Sequence, residues 1–174
     1  MLCPAFKAEY KAQEGESPIV HHASDQDFTE FKPLSHCGTA NAARARAVTN
    51  DSTASQPKNL YSARIRLGKT VRIVDTGENH TPESIIHGLH MAGHVTAAHY
   101  DRYYDKMKAA TSHAEKTKIV LDVLKRRKIN TITYRNRIED AGSDSYMITH
   151  PSQVRLLSKS KSAVNVRRGK AKLK

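Results

Sequence analysis

Ile119, Val120, Val123 and Leu124 recur at i, i+1, i+4 and i+5, a spacing that closes into one stripe on an α-helix and scatters over both faces of a strand. The stripe predicts a helix over 112–127 with one face in a core. Lys116, Lys118, Lys125, Arg126 and Arg127 frame it, so the outer face of that helix is cationic. Ser112-His113-Ala114-Glu115 resembles a capping box and sets its start.

Two further helices are expected upstream. Thr81-Pro82-Glu83 supplies an N-cap, a proline at the first helical position and an acid in the first turn, for a helix ending near Met91. Gly93 breaks it, and a second helix covers 95–109. Tyr100, Tyr103 and Tyr104 in that helix are either core or the contact of a homodimer. Before the helices, Tyr61, Ala63, Ile65 and Leu67 alternate with polar residues, Gly68-Lys69 turns, and Val71, Ile73 and Val74 follow. This predicts a β-hairpin with Arg64, Arg66, Lys69 and Arg72 on its exposed face. Thr76-Gly77-Glu78-Asn79 ends it.

The first third has no such periodicity. Its apolar residues fall in clumps (Pro18-Ile19-Val20; Phe28, Phe31) among Gly, Pro, Ser and acids, which predicts a disordered region over 1–58 with at most a short helix at 39–48. The expected fold is therefore mainly α with a small β-hairpin. It comprises a disordered N-terminal region (1–58), a basic helical domain of helix-turn-helix or winged-helix type (59–158) and a disordered cationic tail (159–174). With 38% hydrophobic residues, no Trp and a mean hydropathy of −0.64, the core must be small. No run approaches the roughly 20 apolar residues of a membrane span. Cys3 and Cys37 form no paired metal motif, which suits a reducing, intracellular setting, cytoplasmic or nucleoid-associated.

Charge supplies the functional expectation. Residues 1–58 carry six Lys/Arg and seven Asp/Glu, while 59–174 carry 23 Lys/Arg and ten Asp/Glu. A block of net +13 points to nucleic acid, held through counterion release. The stretch 115–142 resembles a helix-turn-helix: the amphipathic helix, a basic turn at Lys128-Ile129-Asn130, then a short helix from Thr131 stopped by Gly142. On that reading Thr133, Arg135, Asn136 and Arg137 read base edges, and Lys116, Lys118, Lys125, Arg126, Arg127 and Lys128 hold phosphates. Arg167, Arg168 and Lys170 in the acid-free tail add affinity without sequence choice. Duplex DNA is favoured over RNA, and the expected role is transcription or replication control. The rival local reading is a strand, because Ile132, Tyr134, Asn136 and Ile138 also alternate; the chain would then turn at 139–143 and return through 145–149. An RNA- or ribonucleoprotein-associated structural protein is the alternative function.

Enzymatic readings have less behind them. His87, His90 and His94, with Glu83 one turn earlier, lie in one helical stripe and are weak metal-ligand candidates, since ligands along one helix do not readily surround an ion. The chain has no phosphate loop, nucleophile elbow or Cys/His framework, so no cofactor and no catalytic residue is assigned.

Overall fold

The computed structural model describes residues 15–50, 59–75, 81–137 and 139–161. In chain order the elements are β1 (Val20–Ser24), β2 (His36–Cys37), α1 (Ala40–Asn50), β3 (Asn59–Ile65), β4 (Thr70–Arg72), α2 (Pro82–Met91), α3 (Ala97–Ala109), α4 (His113–Arg126), β5 (Thr131–Arg135), β6 (Asp144–Ile148) and β7 (Val154–Lys161). The fold is mixed α/β, which corrects the mainly helical expectation. The described strands form a three-stranded sheet, β1-β3-β7, and a four-stranded sheet, β2-β6-β5-β4.

The predicted hairpin at 60–75 is a case of correct strands with the wrong partners. β3 lies between β1 and β7, antiparallel to both, whereas β4 pairs in parallel with β5 in the other sheet. The Gly68-Lys69 turn thus passes the chain from one sheet to the next. Arg64, expected on an exposed face, is buried and donates from Nη1 to the Ser17 carbonyl at 2.8 Å.

The region expected to be disordered contributes two strands and a helix to its described part, 15–50. Val20, Phe31 and Cys37 are buried there, with Tyr61, Ala63, Ile65 and Ile148, in an apolar layer between the two sheets. Phe28 stacks on Tyr61 with ring centroids 4.1 Å apart, and Phe31 meets Phe28 edge-on. Helix α1 starts inside the predicted 39–48 stretch and runs two residues past it, packing Ala43 against Ala23 and Leu60. Gly38 joins the sheets through a bridge to His21. A Cβ at Gly38 would lie 2.4 Å from the Ser145 hydroxyl oxygen, so a larger residue there would force the Ser145 side chain to move. Cys3, the linker residues 51–58, the break at 76–79 and the tail residues 162–174 lie outside the described residues.

The helices behave as their caps predict. The Thr81 hydroxyl accepts from the Ser84 amide and the Ser112 hydroxyl from the Glu115 amide. The Glu115 carboxylate reaches back to the Thr111 amide at 2.7 Å, one residue before the N-cap that a capping box would use. Val120, Val123 and Leu124 are fully buried, with Ile119 packed at the edge of the same cluster, and each buried side chain contributes roughly 1.5–3 kcal/mol. They meet Ile85, Ile86, Leu89 and Met107 from α2 and α3 on one face of the four-stranded sheet, against Val71, Ile132, Tyr134 and Met147. That sheet is covered by helices on one side and by the three-stranded sheet on the other. No helix among the described residues is long and apolar enough to cross a membrane.

Candidate nucleic-acid interface

Residues 131–135 are strand β5, so no second helix of a helix-turn-helix exists here. The rival strand reading is the one found, with β5 returning antiparallel as β6. β5 is an interior strand rather than a wing, since β4 pairs with its other edge. Its first four residues are buried, because both faces of this sheet are covered.

This placement separates the four expected base readers. Thr133 is buried, and its hydroxyl has no hydrogen-bond partner among the described residues. Asn136 is buried too, its Nδ2 donating to the hydroxyls of Ser143 and Ser145 at 2.7 and 2.9 Å. Its carboxamide thereby holds the β5–β6 turn together. Arg135 and Arg137 are exposed, at the rim of an open cleft of about 880 Å³ that also takes in Arg72, Asp75 and Asp144. The cleft is mixed in charge: Arg72 forms a bidentate pair with Asp144, both contacts at 2.9 Å, and the buried Asp75 accepts from the Arg137 amide.

The expected phosphate contacts divide differently. Lys116 is engaged by Glu83 across the α2–α4 contact at 2.6 Å, and this bond holds the Glu83 carboxyl below its usual range. Lys118, two residues further along α4, is exposed. Lys125, Arg126, Arg127 and Lys128 gather at the C-terminal end of α4. Here the fold adds partners that sequence reading placed elsewhere. Lys69, from the β3–β4 turn, donates to the Arg127 carbonyl at 3.0 Å, and His94, His99 and Tyr103 complete a cleft of about 470 Å³ with Arg126 and Arg127. No acidic residue lines it. Arg167, Arg168 and Lys170 lie outside the described residues.

The histidine stripe is used for packing. His90 stacks on Tyr100 with centroids 4.8 Å apart, its Nδ1 is 2.9 Å from the Val95 carbonyl, and His87 meets the Tyr100 ring edge-on. Among the described residues no three His, Cys, Asp or Glu side chains converge as a metal site. Tyr100 and Tyr103 pack against the helical core; Tyr104 stays partly exposed, stacked on Tyr100 with Lys108 above it.

A second polar centre escaped sequence reading altogether. Arg46 of α1 donates to Glu139 at 3.0 Å and to His36 Nε2 at 3.3 Å. Since Nε2 accepts, Nδ1 of a neutral His36 carries the proton and donates to the Tyr134 hydroxyl, 2.8 Å away. Burial pushes the Tyr134 hydroxyl well above the usual tyrosine range. Beside this chain lies a cleft of about 440 Å³ lined by His22, His36, Arg46 and His113 and by the start of α2 at Thr81-Pro82. Its residues come from positions 22 to 117, and no local spacing announces them.

No family model and no curated protein matches this chain. Among solved structures, a crystal structure of an anti-CRISPR protein is similar at 11% identity, covering 83% of this chain and 97% of that one with a TM-score of 0.38. A likeness of that size carries no argument about either fold or function.

Proposed function

We propose that this protein binds nucleic acid through backbone phosphates, using the cationic end of α4 with Lys69. The acid-free cleft lined by Lys69, Arg126 and Arg127 is the observation that carries this reading. Five other cations are paired with carboxylates: Arg46 with Glu139, Arg72 with Asp144, Lys116 with Glu83, Arg155 with Glu16 and Lys159 with Asp27. Arg126 and Arg127 have no carboxylate partner among the described residues, so their charge is available to a polyanion. The net +13 of residues 59–174 supplies the long-range attraction. Sequence-selective regulation of transcription or replication rested on a reading helix at 131–141 and is not part of the proposal. The test is binding to duplex DNA, single-stranded DNA and structured RNA across a salt series. Arg126→Gln with Arg127→Gln should flatten the log–log salt slope by roughly 1–2 units. An unchanged slope removes this site from the interface, and no binding to any of the three removes the reading.

A second reading is favoured by the cleft at His22, His36 and Arg46, where histidines, an arginine and a helix N-terminus suit an anionic small molecule. A rise in Tm with inorganic phosphate that is lost in His113→Gln supports it. A flat response rejects it.

A further inference from the structure

The cleft at the end of α4 is concave and contains an aromatic ring, and those two properties bear on which nucleic acid enters it. Phosphates of a duplex lie on a convex ridge and meet a surface. A recess is reached by a strand that can lower one nucleotide out of stack. We propose that this cleft takes an unpaired nucleotide of a single strand, its phosphate between Arg126, Arg127 and Lys69 and its base against Tyr103. The inference rests on the nucleic-acid reading above and narrows it to single strands.

Lys69 is held in place before any ligand arrives. The Lys69 amide donates to Asn130 Oδ1 at 3.0 Å, the Asn130 amide returns to the Lys69 carbonyl at 2.9 Å, and the Lys69 ammonium caps the Arg127 carbonyl. Tyr103 is anchored by its packing on the helical core, and His99 lies near-parallel to its ring at 6.2 Å. Two helix C-termini face the cleft, and free carbonyls there would repel an anion. Their closing turns engage those carbonyls. At the end of α2, Gly93 N donates to His90 O and His94 N to Leu89 O; at the end of α4, Lys128 N donates to Lys125 O and Ile129 N to Leu124 O. The cleft therefore presents cations, imidazoles and one tyrosine.

The experiment uses the full chain and three probes of equal length: a single-stranded oligonucleotide, the same strand with its bases removed, and a blunt hairpin duplex. The base-bearing strand should bind about tenfold more tightly than either of the others, the discrimination of one stacked base. Tyr103→Leu, which keeps apolar bulk at the core, should remove that advantage, while the double Arg126→Gln, Arg127→Gln variant weakens all three. If Tyr103→Leu fails to fold, the comparison of the base-bearing and base-free strands on the unaltered protein still decides. Equal binding of all three probes overturns the single-strand inference and leaves the phosphate reading standing. Absence of binding to any probe overturns both.

Discussion

The side-chain amide of Gln153 donates to the backbone carbonyl of Asn130 at 2.9 Å, and this bond ties the start of β7 to the start of β5 in the opposite sheet. The same Nε2 is 3.1 Å from the Arg66 carbonyl and 3.2 Å from the Thr131 hydroxyl, while Oε1 accepts from the amides of Thr149 and His150. One buried carboxamide thus spans both sheets and the 3-10 turn (Pro151–Gln153) between β6 and β7. The two sheets are held together here by polar bonds, and at the other end by the bridge through Gly38.

Gln153→Glu tests that role with almost no change in volume. A carboxylate would face the Asn130 and Arg66 carbonyls with no proton to donate, leaving buried acceptors opposed. The loss should be about 3 kcal/mol at neutral pH by denaturant titration. Because the folded state disfavours the charged form, the variant's carboxyl has a raised pKa when folded. The deficit therefore shrinks as pH falls below that raised folded value and is gone below the ordinary glutamate value of about 4.3. A variant as stable as the parent at neutral pH removes Gln153 from the structural account.

His22 predicts an acid-side loss of stability. It packs edge-on against both Phe28 and Phe31, with centroids 5.6 and 5.5 Å away, and burial holds its imidazole below the ordinary range despite the His36 carbonyl at Nδ1. His21 shifts the same way, again chiefly through burial. Folded pKa values below the unfolded one mean that the unfolded chain binds more protons as pH falls below roughly 6.5. Stability should therefore decline from there until the folded pKa values are passed. Unfolding free energies measured across that window should fall less in His22→Gln than in the parent; parallel curves would exclude the assignment.

Cys37 should be chemically silent in the native protein. It is buried between the sheets, and burial pushes its thiol up to about 12. Thiolate is the reactive form, so labelling has to wait for the sheets to separate. In a Cys3→Ser background, an aromatic disulfide reagent should react at neutral pH at the rate of local or global opening, accelerating with denaturant. Prompt reaction without denaturant would show that the layer between the sheets is open.

What was legible in the sequence follows from the range of the forces involved. Thr81-Pro82, Ser112 and Gly93 act within one helical turn, and the helices begin and break where these residues say. Val120, Val123 and Leu124 show their face by spacing alone. β1 and β2 carry no such mark, because Val20 is buried by Ala63 and Tyr61 some 40 residues away, with β1 held in register by β3. β5 was legible only as the rival of a short helix. Ile132 and Tyr134 alternate with Thr131 and Thr133 as in a strand, but five residues are too few for spacing alone to decide. It is pairing with β4 and β6, distant in sequence or beyond a turn, that fixes the strand and buries Thr131-Ile132-Thr133-Tyr134. The candidate site was half visible: Arg126 and Arg127 stood out as a charge run, while Lys69, His94, His99 and Tyr103 reach them only through the β3–β4 turn and the α2–α3 packing.

Lys128 joins the stability of the fold to the site. It adopts φ 56° immediately after α4, in the left-handed region where glycine is usual, and the Ile129 amide behind it closes the helix onto Leu124. A side chain in that conformation costs roughly 1–2 kcal/mol, which persists here next to exposed cations. Lys128→Gly should relieve the strain and raise stability by about 1 kcal/mol, seen as a higher Tm. The same change removes one positive charge, so the salt slope of single-strand binding should flatten by about 0.7. Lys128→Ala separates the two effects, since alanine keeps the strain and loses the charge. It should bind as weakly as Lys128→Gly while gaining no stability. If glycine and alanine melt together, the backbone after α4 stores no strain; if both bind with the parent's slope, Lys128 makes no phosphate contact and the interface is confined to Arg126, Arg127 and Lys69.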